Sequence, residues 1–146
     1  MDSITKNQNA ILERLKSSFK QRVVEAAIPT WETLIRDSRG RAEAYIAVTF
    51  GDIQQQGTRN MASSKAHGYV LPVYIGLIGP TPEVPRVMGN KLNTVLLGWE
   101  VPHGGEANKR AGGQVYGIPA QQGAVEAYIQ PSSFGFPIEV IDEVAE

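Results

Sequence analysis

Along residues 84–102 the apolar positions Val84, Met88, Leu92, Val95, Leu96 and Trp99 recur at spacings of three and four, which lines them along one side of a helix. Pro85 suits its first turn, where a missing N–H costs nothing. Gly98 suits its end, where a left-handed residue satisfies dangling carbonyls without a Cβ clash, and Pro102 keeps the helix from resuming. The spacing predicts a helix of roughly three to four turns. Gly89 at its middle costs about 1 kcal/mol relative to Ala and points to a close approach by another element.

A second helical pattern occupies residues 4–27, with Ile4, Ile11, Leu12, Leu15, Phe19, Val23 and Ala26 on one face and Lys6, Glu13, Lys16, Lys20 and Arg22 largely on the other. Asp2 or Ser3 can cap its start, and Ile28-Pro29 ends it, because the residue before a proline leaves the helical region. Residues 30–36 read as a short strand seated by Trp31, followed by a turn at residues 37–41. Ala44, Ile46, Val48 and Phe50 then alternate with Tyr45, Ala47 and Thr49. That period of two predicts a strand with the first set facing the core.

Residues 51–68 are rich in Gln, Ser, Asn and Gly, with little to bury, and read as a long loop between two strands, the first place to seek a partner-binding segment. Residues 69–78 are apolar on both faces apart from tyrosine, the pattern of a strand covered on both sides, by helices on one face and a further subunit on the other. Pro72 removes a ladder donor there and calls for an edge or a bulge. A second polar loop covers residues 103–113. Short strands follow at 114–118 and 124–130, a turn at 131–134 and a last strand at 136–141. Strands grouped on either side of a helix predict an α+β fold, a single domain over residues 1–146 whose mostly antiparallel sheet is packed by the N-terminal and central helices.

The chain of 146 residues is long enough for one sizeable core. With 14 Lys plus Arg against 15 Asp plus Glu, it lacks the basic excess of a protein whose main task is gripping nucleic-acid phosphates. The absence of cysteine removes disulfides, thiolate nucleophiles and Cys-based metal sites. Its polar N-terminus lacks the apolar core of a secretion signal, and no apolar run approaches the ~20 residues that span a bilayer. These features predict a soluble protein without a membrane partner.

Catalytic signals are missing. His67 and His103 each stand alone in a polar loop, with no ligand set around them for a metal. Residues 104–113 lack the Gly-Lys-Ser/Thr of a phosphate-binding loop. Ser132 and Ser133 have no nucleophile elbow around them, and Glu139 and Asp142 fall on opposite faces of a strand. No cofactor is called for, and the chain reads as a non-enzyme. Trp31, Trp99, Tyr69 and Tyr74 read as core or interface aromatics.

The amphipathic N-terminal helix, the strand at 44–50, the apolar strand at 69–78, the helix ending Leu96-Leu97-Gly98-Trp99 before Pro102, and a closing strand pair with Val125-Glu126-Ala127-Tyr128-Ile129 together resemble the tail terminator or tail completion (head–tail joining) proteins of tailed bacteriophages. The resemblance implies a hexameric homo-oligomeric ring that caps the head-proximal end of the tail tube, stops tube polymerisation and offers the surface for the head–tail connector or neck protein. It implies a place in the virion tail or neck, assembly in the host cytoplasm, and a lumen through which DNA passes without specific binding. The interface candidates are Gln54, Gln55, Gln56, Arg59, Met61 and Lys65 in the first loop, with Lys109 and Arg110 as a second set. The alternative is a small-molecule or peptide-binding α+β domain using the sheet face under the second helix.

Overall fold

The computed structural model describes residues 2–55, 68–119 and 125–139. Its elements are α1 (Ser3–Ser18), β1 (Arg22–Glu25), β2 (Tyr45–Phe50), β3 (Gln54–Gln55), β4 (Tyr69–Gly79), α2 (Glu83–Leu96), β5 (Asn108–Gly112), β6 (Tyr116–Gly117) and β7 (Tyr128–Ile138). The strands form one sheet in the order β1-β2-β4-β7-β5, with β3 beside β4 and β6 beside β7. Among the described strands β1 and β2 run parallel and the other pairs are antiparallel. The predicted α+β domain, two helices on a mostly antiparallel sheet, is the observed one.

Both helices cover the same sheet face. Ile11, Leu15 and Phe19 from α1 and Met88, Leu92, Val95 and Leu96 from α2 are buried with Leu71, Val73, Ile75 and Leu77 of β4 and with Phe134, Phe136 and Ile138 of β7. Arg14 joins the helices: its Nε and Nη2 donate to the Val95 carbonyl at 3.2 and 3.1 Å, and its guanidinium lies 5.3 Å from the Trp99 ring centre. A cation there complements the negative end of α2. Gly98 takes φ of +86°, as the helix stop requires. A Cβ on Gly89 would lie 2.5 Å from the Gln130 Oε1, so the strand beneath is the close neighbour that its position foretold.

Four sequence expectations give way. The first helix ends at Ser18, not near residue 27, because Phe19 turns extended and Val23 and Val24 pack on opposite faces of the sheet as consecutive strand residues do. The spacing had suited both, since Val23 lies four residues past Phe19. Residues 30–36 hold a 3-10 turn at Trp31–Thr33 rather than a strand, with the Thr33 hydroxyl accepting from the Thr30 N–H at 2.8 Å. Both polar loops contribute short strands, β3 and β5. The turn expected at 131–134 is instead the middle of the continuous strand β7.

Prolines explain the last of these, and at Pro72, where an edge or a bulge was expected, the accommodation is a break in the neighbouring strand. Pro72 and Pro131 sit inside interior strands, each opposite a break in its neighbour. The Gly51 N–H donates to the Pro72 carbonyl at 2.9 Å where β2 gives way to β3, and the Gly113 N–H donates to the Pro131 carbonyl at 2.8 Å between β5 and β6. A strand residue directs its N–H and C=O toward the same neighbour, so each proline's missing donor faces an interruption and no ladder bond is lost.

Two carboxylates set an acid response. Asp2 caps α1 by accepting from the Thr5 N–H at 2.7 Å, and Asp37 accepts from the Arg39 and Arg41 N–H groups at 2.8 and 3.0 Å. These backbone donors hold both carboxyls below the usual aspartate range. Because the folded-state values are depressed, the stabilisation is present above about pH 4 and is lost as the pH falls below it. Thermal midpoints of the wild type are therefore expected to fall more steeply between about pH 4 and 2 than those of a D2N/D37N double variant, whose amides accept the same bonds without titrating. Parallel curves for the two proteins would count against this account.

Candidate functional site

The face of the sheet away from the helices is only half covered. The segment that carries the chain from β1 back to β2 lies over one part of it, burying Leu34, Ala42, Tyr45, Ala47, Ile78, Ile118, Ala127 and Ile129 in a second core. Burial beneath that segment pushes the Tyr45 phenol above its ordinary range. Arg36 pins the segment, lying 4.3 Å from the Trp31 ring centre and donating to the Trp31 and Gly40 carbonyls at 3.0 and 3.1 Å.

Past the end of this cover the sheet is open. Tyr74, the one exposed residue of β4, is 45% accessible, beside Ile28 at 43%. They border a groove of about 270 Å³ floored by Ala111, Gly112, Gly113, Pro131, Ser132 and Ser133. A second groove, of about 370 Å³, lies between Pro29, Trp31, Glu32, Tyr116 and Ile118, with Tyr116 46% accessible. The run 28–31 passes from one groove to the other, with Pro29 buried and Trp31 half-buried, and Ile28, Tyr74 and Tyr116 are the exposed large apolar residues of this strip. The sequence pattern pointed to this surface without locating it: β4 is apolar on both faces, and the helices account for one.

The interface candidates divide. Gln56, Arg59, Met61 and Lys65, with His67 and Asp142, lie outside the described residues. Gln54 and Gln55 lie exposed on β3, and Lys109 and Arg110 lie exposed on β5. Two of the four meet: the Arg110 Nη1 donates to the Gln54 Oε1 at 3.1 Å. The register of β5 against β7 shifts between Lys109 and Ala111, making Arg110 the extra residue of a bulge. Its side chain runs over Gly135, whose missing Cβ would lie 2.9 Å from both the Arg110 Cδ and the Val70 Cγ1. Lys109 instead turns to the helix side and donates to the Asn93 Oδ1 at 2.9 Å. Sequence adjacency had joined Lys109 to Arg110, and the sheet separates them.

The His103 backbone is clasped by Asn7, whose Oδ1 accepts from the His103 N–H at 3.0 Å while its Nδ2 donates to the carbonyl at 3.2 Å. Among the described residues no three His, Cys, Asp or Glu side chains gather as metal ligands. The face under α2, where a ligand pocket was anticipated, is filled by Met88, Leu92, Val95 and Leu96, and the two grooves lie on the opposite face. Among the described residues no helix is long and apolar enough to cross a membrane. No protein-family model and no curated protein sequence matches the chain.

Proposed function

We propose that this chain is a structural, non-catalytic virion protein that assembles into a hexameric ring on the head-proximal end of a phage tail tube. The ring stops tube polymerisation and offers the docking surface for the connector or neck protein. It acts in the tail or neck after assembly in the host cytoplasm, and DNA passes through its lumen without specific binding.

The observation that carries this reading is the strip on the open sheet face, where Ile28, Tyr74 and Tyr116 are exposed beside the two grooves. A contiguous apolar surface on a small domain marks an interaction site, and aromatic residues are the side chains enriched where proteins meet. A near-neutral chain suits a channel for DNA, since fixed positive charge would retain the passing phosphates.

The second reading, a small-molecule or peptide-binding domain, draws on the same grooves, whose volumes of about 270 and 370 Å³ approach those of ligand sites. Light scattering on the purified protein, with and without its candidate tube protein, separates the two. A hexameric mass, or a monomer that forms a ring only when tube is present, is the expected result. A stable monomer or dimer that ignores tube protein sinks the ring and favours the ligand site.

A further inference from the structure

Six large apolar residues are exposed among those described: Ile28, Tyr74, Val87, Leu97, Tyr116 and Val125. Ile28, Tyr74 and Tyr116 belong to the strip. Val87 and Leu97 lie on the other side of the molecule, on α2 and at its C-terminal cap. With Asn90 and Thr94 between them they recur at spacings of three, four and three, so one stripe runs along the outward side of the helix, and all four residues are exposed. At the start of the same side the exposed Glu83 and Arg86 pair with each other at 3.6 Å, and beyond them the stripe of Val87, Asn90, Thr94 and Leu97 carries no charge.

The charges beside the two patches are complementary. Glu32 is the charged residue that lines the strip's grooves, and no cation pairs with it among the described residues. Lys91, next to the stripe, lies 5.0 Å from the Phe19 ring centre and has no carboxylate partner among the described residues.

We infer that the α2 stripe of one copy seats on the open sheet face of the next, with Val87 and Leu97 against the strip of Ile28, Tyr74 and Tyr116 and Lys91 toward Glu32. This contact rests on the ring reading and gives it a geometry. The patches differ and lie on opposite faces of the sheet, so the contact is head to tail, and each copy uses each patch once. Such a contact closes into a ring when the rotation per step divides a full turn. It also gives α2 a role beyond covering the core.

Complementation between two variants tests it. Tyr74→Glu spoils the sheet face and Val87→Glu the helix stripe, both at exposed positions, and circular dichroism checks that each folds. Tyr116→Glu and Leu97→Glu replace whichever does not. The wild type is expected to be oligomeric by light scattering, and each variant alone should have the 15.9 kDa mass of one chain. An equimolar mixture should give twice that mass and no more, because one intact stripe then meets one intact face. If the wild type is a ring and either folded variant keeps the ring mass, this contact is wrong while the ring stands. Monomeric variants that stay monomeric when mixed overturn the head-to-tail contact, leaving an isologous one. A wild type that is monomeric at its highest soluble concentration also overturns it, since so apolar a contact should form unaided; recruitment by tube protein would then decide the ring separately.

Discussion

Gly104→Ala is expected to destabilise the fold by about 3 kcal/mol or more, lowering the thermal midpoint by roughly 10 °C. A Cβ at this position would collide with the carbonyl oxygen of Pro137 and lie 2.8 Å from the Val101 Cγ2 and 3.0 Å from the Ile138 Cα. Because two of these three neighbours are backbone, no rotamer change relieves the contact. The backbone that would have to move is also the anchor of α1. Gly105 donates to the Pro137 carbonyl at 2.9 Å, Glu139 donates to the His103 carbonyl at 2.8 Å, and the Ser3 hydroxyl donates to the Glu139 carbonyl at 2.9 Å. Ser3 and Asn7 are fully buried there, so displacing their partners leaves polar groups unpaired away from water. Gly105→Ala is the control, since its Cβ would come no nearer than 3.8 Å to Pro137. Equal midpoints for the two variants would show that the strand end yields freely and would refute the argument.

Phe136→Ala is expected to cost about 3–5 kcal/mol by denaturant titration, the range for deleting a buried aromatic ring. Phe136 is fully buried between the helices and the sheet, and its ring meets Trp99 edge to face, with centroids 6.1 Å apart and planes at 81°. Trp99 in turn lies beneath Arg14, the residue that joins α1 to the end of α2. The cavity therefore opens where three elements meet, and its walls collapse poorly. Phe136→Leu keeps most of the volume and should cost less than about 1.5 kcal/mol. A loss below that figure for the alanine variant would mean that the helices close over the gap.

Periodicity made much of this architecture legible. The stripe of α2, its glycine stop and the doubly apolar β4 stand in the sequence because helix and strand periods impose different spacings on the residues that must leave water. The end of α1 was not legible, since Val23 satisfies the helix period and the strand period alike. The continuity of β7 was hidden by Pro131, which reads as a breaker until the gap between β5 and β6 is known to face it. At the candidate site, Tyr74 could be assigned to core or interface, but not to the uncovered part of the sheet. The meeting of Arg110 with Gln54 pairs residues 56 positions apart in sequence, and no local pattern encodes such a contact.

Local chemistry by itself determined which segments form α2, β2 and β4, the class of fold they build, and that β4 needs cover on both faces. Those features depend on propensity, capping and the burial of apolar side chains, all of which act over a few residues. The tertiary structure alone decided that both helices share one face, that the connection between β1 and β2 covers only part of the other, and that Ile28, Tyr74 and Tyr116 are therefore left exposed there. The reason is that a side chain's exposure depends on which distant segment lies over it, and that is settled by strand order and packing rather than by its neighbours in the chain.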